Sequence, residues 1–215
     1  MKKISLLIFF LFFTISIYSA DLIILTQDGT EKKQSFDENI TEMTISNVKV
    51  KSINGFENFE SLKKILFHHV DFSKADMSFV FQFYNQISLE FYFTTLPNLE
   101  FLNTNSKIIA VDIQESTIKN NKNIDLEKSQ IEYFSCGAVF IEKFPNDIKF
   151  SSVLKYFILY NLYYDSINTN WITVFENTNI KYFLPTDFNW ELKQKGYLDS
   201  ILDLEELNTI YTLYF

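Results

Sequence analysis

Residues 40–62, ITEMTISNVKVKSINGFENFESL, put Ile40, Met43, Ile45, Val48, Val50, Ile53, Phe56 and Phe59 at places 1, 4, 6, 9, 11, 14, 17 and 20, and Leu62 restarts the count. Alternation over Met43 and Ile45 suits a short strand. Apolar residues at every third place after Val50 suit a return built from helical or 3₁₀ turns. The opening trio at places 1, 4 and 6 recurs along the chain. Place 1 is Ile40, Leu62, Tyr84, Ile108, Ile131, Leu154 and Ile180; place 4 is Met43, Ile65, Ile87, Val111, Phe134, Phe157 and Phe183; place 6 is Ile45, Phe67, Leu89, Ile113, Cys136, Leu159 and Pro185. A motif that returns every 22 to 26 residues marks stacked, similar units, because one such unit cannot bury its own apolar edge. We expect an α/β repeat solenoid, with a short parallel sheet on one side and irregular, 3₁₀ or helical returns on the other.

Working outward, residues 21–39 read as an N-terminal β cap. Leu22 to Leu25 form a short strand, Gln27-Asp28-Gly29-Thr30 a turn, and the polar run 31–39 a returning strand. Such a cap covers the apolar end of the first unit. At the other end, Ile210, Leu213 and Phe215 repeat the 1, 4, 6 spacing, and 187–203 reads as an irregular insertion. A bare last strand there would invite edge-strand self-association. Tyr211, Leu213 and Phe215 also alternate toward a final Phe, as in outer-membrane barrels; an envelope barrel or membrane-anchored structural protein is the alternative.

The units resemble the leucine-rich repeat family, whose unit reads L-x-x-L-x-L-x-x-N-x-L. The match here is Ile40-x-x-Met43-x-Ile45-x-x-Val48-x-Val50, and Leu96-Pro97-Asn98-Leu99-Glu100-Phe101-Leu102 has the same flavour. The resemblance covers residues 40–215. It implies a solenoid whose exposed strand face binds protein or glycan. The family's ninth-place Asn is replaced by Val48, Val70, Tyr92, Ser116, Val139 and Leu162, which predicts a looser stack.

Residues 1–20 carry Lys2 and Lys3, then an apolar run from Ile4 to Ile17, then the small residues Ser19 and Ala20. This is the order of an export signal, with an uncleaved anchor as the alternative. It points to a bacterial exported protein of the periplasm, cell surface or medium, touching membrane only through that segment if it is retained. The formal net charge is −8, and the chain has no Arg. That excludes nucleic acid, whose phosphates need clustered cations. The one cysteine, Cys136, allows no internal disulfide, so packing alone must hold the fold.

Little in the sequence points to chemistry. His68 and His69 are the only histidines, and neighbours on a strand face opposite ways, so they suit no shared metal ion. Cys136 falls at a core place and reads as a small, inert hydrophobe. Gly29, Gly55, Gly137 and Gly196 are too scattered for a phosphate loop. We therefore expect no enzyme, cofactor or metal. The sharper signal is aromatic. If places 4 and 6 face the core, places 3, 5 and 7 face outward, and late units carry Tyr133, Tyr156, Tyr182 and Tyr160 there, with Ile158 and Leu184 between them. Tyr is favoured at recognition surfaces, and it equally forms stabilising cross-strand ladders. The six residues are the candidate binding patch of a non-enzymatic adhesion or interaction module.

Overall fold

The computed structural model describes residues 19–103, 105–120, 123–141, 147–160, 163–164, 180–183, 211 and 213–215. Apart from Ser19 and Ala20, the expected signal segment lies outside these residues, as do Leu184 and the insertion expected at 187–203. The fold is sheet-rich: one 13-stranded sheet accompanied by a two-stranded one. The long strands β3 (Glu42–Asn54), β4 (Lys64–Asp71), β5 (Ile87–Tyr92), β7 (Ile108–Gln114), β10 (Tyr133–Gly137), β13 (Tyr156–Tyr160) and β15 (Lys181–Phe183) pair in parallel, in chain order. A second parallel row runs alongside through β6 (Thr95–Leu96), β8 (Thr117–Ile118), β11 (Phe140–Ile141) and β14 (Tyr163–Tyr164), joining the first at β4. In the returns, β9 (Asn123–Asp125) and β12 (Asp147–Lys149) make the small sheet. Among the described residues the returns hold three short 3₁₀ turns, at Phe56–Asn58, Met77–Gln82 and Glu100–Leu102, and no α-helix, so the described part is a sheet-rich fold rather than the expected α/β one.

A shared backbone feature turns the chain from the first row to the second. Asn47, His69, Phe93, Glu115 and Ala138 all have positive φ, between 47° and 55°. Each lies five residues after one of the paired positions Glu42, Lys64, Ser88, Ala110 and Tyr133. The extra left-handed residue breaks the alternation, so β3 shows two consecutive exposed positions, Ser46 and Asn47, between buried Ile45 and Val48. A non-glycine residue there costs about 1–2 kcal/mol, which the burial on either side must offset.

That burial is continuous. Met43 and Ile45 stack on Ile65 and Phe67, then Leu89 and Phe91, Val111 and Ile113, Phe134 and Cys136, and Phe157 and Leu159, all 3 % exposed or less. Phe67 and Phe91 stack at 5.1 Å, and Phe134 and Phe157 at 5.5 Å. The 3₁₀ turns add Phe56 and Phe79 from the far side, with ring centroids 5.7 Å apart. Each fully buried ring contributes about 1.5–3 kcal/mol.

β1 (Ser19–Thr26) and β2 (Glu31–Asp37) form an antiparallel hairpin, and β1 pairs antiparallel with the far half of β3. At the turn, the Gln27 side-chain amide donates to the Val50 carbonyl at 3.3 Å and the Asp71 carbonyl at 3.1 Å, tying the hairpin to the first two units.

Three expectations are corrected. The third unit slips by two residues: Ile65 faces Leu89 rather than Ile87, Ile87 shifts through a bulge to face Ile108, and Tyr84 is 57 % exposed instead of core. The seventh unit slips by one: Tyr156 faces Lys181, and Phe157 faces Tyr182 rather than Phe183. The tail is no eighth strand. Tyr211, Leu213 and Tyr214 are helical, and the Phe215 amide donates to the Tyr211 carbonyl at 3.0 Å.

Candidate functional site

The candidate site is the outward side of the long parallel row. Sequence places 3, 5 and 7 do bring Tyr133, Tyr156, Ile158 and Tyr160 together: Tyr133 pairs with Tyr156, with ring centroids 6.4 Å apart, and Ser135 pairs with Ile158. They do not stand open. Tyr133 is 3 % and Ile158 2 % exposed, because Tyr211, Tyr214 and Phe215 lie over them. The Tyr214 ring is 5.3 Å from Tyr133 and 6.0 Å from Tyr156, and the Phe215 ring meets Tyr133 edge-on at 5.4 Å. Tyr182 stands one step out of the row at the level of Phe157, so the described tyrosine row ends at Tyr156. Leu184 lies outside the described residues. Tyr160 fills the gap left by Gly137, where a Cβ would run into its ring and the Gln114 side-chain oxygen. Its hydroxyl donates to Gln114 Oε1 at 2.6 Å.

Beneath the tail runs a polar chain that crosses the three strands β4, β5 and β7. Lys64 Nζ lies 3.4 Å from Glu90 Oε1. The Tyr211 hydroxyl donates to the same Glu90 oxygen at 2.6 Å and stands 3.2 Å from the Tyr92 hydroxyl. Tyr92 in turn donates to Asp112 Oδ2 at 3.3 Å, and Gln114 Nε2 donates to Asp112 Oδ1 at 2.6 Å. Glu90 and Asp112 face each other across β5 and β7, and are 4 % and 0 % exposed. Two further contacts hold the tail backbone: Ser88 Oγ donates to the Tyr214 carbonyl at 2.9 Å, and Lys64 Nζ to the Phe215 carbonyl at 3.1 Å. On the far flank the Tyr214 hydroxyl donates to Glu132 Oε2 at 3.0 Å, which Lys155 also holds at 2.7 Å.

The electrostatics follow from this enclosure. Burial, reinforced by the neighbouring Glu90 carboxylate, pushes the Asp112 carboxyl up to about 6 against the pull of its Gln114, Ser135 and Tyr92 hydrogen bonds. Burial likewise lifts the Tyr92 hydroxyl to about 12. Tyr211 and Tyr214 are held as neutral donors, by burial first and by the carboxylates they bond second. Glu132 goes the other way, drawn down mainly by Lys155.

Glu90, Tyr92 and Asp112 were not legible as site residues. The two-residue slip put Tyr92 at the core-side ninth place of its unit instead of on the outward face. The ninth place is in fact Thr94, paired with Ser116, and this pair partly does the backbone bonding expected of Asn: Ser116 Oγ accepts from the Thr94 amide at 3.0 Å and donates to the Gln114 carbonyl at 2.7 Å. Asp112, a single acid inside the apolar run Ile108–Ile113, was the signal available.

Elsewhere the histidines differ from expectation. The left-handed backbone of His69 brings it beside His68, ring centroids 4.3 Å apart, and stacks it on Phe93 at 4.8 Å. No group of three metal-ligating side chains gathers among the described residues. Cys136 is 1 % exposed, and burial pushes its thiol well up. Among the described residues no helix is long and apolar enough to cross a membrane. No protein-family model, curated protein or solved structure matches the chain.

Proposed function

We propose that the chain is a non-enzymatic binding module of the cell envelope, exported by its N-terminal segment, which engages a protein partner through the outward face of its parallel strands. On this reading the units are a degenerate, sheet-rich version of the leucine-rich repeat solenoid. The single observation that carries the proposal is the composition of that face: two buried carboxylates, three tyrosines and a lysine arranged as a hydrogen-bonding surface, and already engaged by a short segment. A purely structural sheet face has no need of Glu90 and Asp112, because each buried charge costs free energy that an apolar residue there would save. The carboxylates are bonded to hydroxyl, amide and ammonium groups of the chain itself, which suits recognition better than turnover. Parallel pairing of successive strands also fits a stacked module better than an outer-membrane barrel, whose strands alternate in direction.

The test is site-specific photo-crosslinking on cells. A photoreactive residue at Ser46, exposed on the outward face, is compared with one at Lys32, exposed on the hairpin. Adducts of one defined mass from position 46 and none from position 32 are expected. Equal adducts from both positions, or none from position 46, overturn the reading.

A further inference from the structure

The segment that covers the face is attached differently from the rest of the molecule. The main core runs without a break from Leu22 to Ile180 and includes none of residues 211–215. Tyr211, Tyr214 and Phe215 pack instead on a separate, small cluster of Ala110, Tyr133 and Ile158, on the opposite side of the sheet. Among the described residues of this segment none pairs with a strand. Its contacts are those of a ligand: tyrosine hydroxyls donate to Glu90 and Glu132, and side chains of Ser88 and Lys64 donate to its carbonyls. All three anchoring side chains lie on one helical turn, at i, i+3 and i+4, and Leu213 between them points away, 74 % exposed. Beside the segment a groove of about 720 Å³ stays open, lined by Thr41, Lys63, Asn85, Gln86 and Leu213.

We infer that the outward face of β4, β5, β7 and β10 is a recognition site for a short aromatic peptide of the form Tyr-x-x-Tyr-Phe in a single helical turn, and that residues 211–215 occupy it as an internal pseudo-ligand. This rests on the reading of that face as a binding surface. Glu90 and Glu132 select tyrosine over phenylalanine at the first and fourth places, because only a hydroxyl adds a hydrogen bond to carboxylates that Lys64 and Lys155 otherwise hold alone. The Tyr133 ring supplies the apolar floor for the Phe. Lys64 reads the carbonyl end of the peptide. A partner carrying this chemistry competes with an intramolecular occupant whose effective concentration is set by the chain that tethers it. Binding is therefore weak unless the partner offers further contacts, for which the open groove beside Lys63 and Asn85 is the place.

The experiment uses a fluorescently labelled peptide with the sequence of residues 209–215 and the full chain, read by fluorescence polarisation. A triple variant, Tyr211→Ser with Tyr214→Ser and Phe215→Ser, cannot fill its own site. It should bind the peptide saturably and at least about tenfold more tightly than wild type does. A peptide in which both tyrosines are phenylalanine should bind about a hundredfold more weakly than the parent, about tenfold for each of the two lost charge-assisted hydrogen bonds. Absence of peptide binding by a triple variant that keeps the wild-type far-UV circular dichroism overturns the inference. So does equal binding of a scrambled peptide. Should the triple variant unfold, the full chain with Tyr211→Phe alone keeps every apolar contact and loses only the hydroxyl; it must still take up peptide more tightly than wild type, or the inference falls. Continued crosslinking from position 46 in the face of such a failure would leave the face a binding surface for some other chemistry.

Discussion

Asp112→Asn is the most informative single substitution. The carboxyl is fully buried on β7, between Glu90 of β5 and Ser135 of β10, and no cation touches it among the described residues. Folding raises its pKa from 3.8 to about 6, chiefly through burial. At about 1.4 kcal/mol per pH unit, that interval corresponds to about 3 kcal/mol. Between the two values the folded chain keeps a proton that the unfolded chain has released, so the contribution of this group to stability falls as pH rises through the window and then levels off. Below about pH 4 both states hold the proton, so the contribution stands at its full value and no longer varies with pH. The amide has nearly the same shape and carries no charge at any pH. Stability of the variant minus that of wild type should therefore climb by about 3 kcal/mol from about pH 4 to about pH 6.5 and stay flat beyond. Asp21, Asp28, Asp71 and Glu132, whose carboxyls are drawn down by their hydrogen bonds, act in the opposite sense at lower pH and cancel in the difference. Urea unfolding followed by circular dichroism across this range measures it. A difference that stays constant to within about 0.5 kcal/mol would show that Asp112 is solvated or paired, and would refute the enclosed polar chain.

Two further outcomes test the scaffold. Phe157→Ala removes a ring that is fully buried, stacked on Phe134 at 5.5 Å and met edge-on by Phe150 at 4.8 Å; urea unfolding should report a loss of about 3–5 kcal/mol, and less than about 1 kcal/mol would deny the phenyl column. Ala138→Gly relieves a left-handed backbone (φ 50°) while loosening the unfolded chain, so a net gain of about 0.5–1 kcal/mol is expected in the same assay, and a loss would mean that the corner is not strained.

How much of this was legible in the chain can be judged position by position. Met43, Ile65, Val111, Phe134 and Phe157 announce their column through spacing alone, because a buried strand accepts only apolar groups at alternate places. The third unit misled because Ile87 and Leu89 satisfy the same pattern, and a two-residue slip leaves the inward and outward sides unchanged within the strand, moving only residues next to the corner, such as Tyr92, to the other side. Only the bulge at Ile87, a matter of backbone fit, decides between them. The left-handed corners left almost no trace. Asn47 and His69 are residues enriched in this conformation, but Phe93, Glu115 and Ala138 are not, so tertiary packing imposes it there. The adjacency of Tyr133 and Tyr156 was legible from their spacing. Their covering was not, because contact between Tyr211 and Glu90 spans 121 positions, and no local pattern encodes it.

The left-handed corner has a consequence for how such a chain can change length. From each paired strand position to its corner the count is always five, whereas the spacing between successive corners varies from 22 to 24. Differences in length thus fall outside the five-residue stretch before each corner, in the returns and, at Ile109, in a one-residue bulge at the start of β7. Loops there can lengthen or shorten, as between Phe93 and Glu115 or His69 and Phe93, while the side chains displayed by the long strands keep their phase. Variation in size and constancy of display are separated by a single repeated torsion.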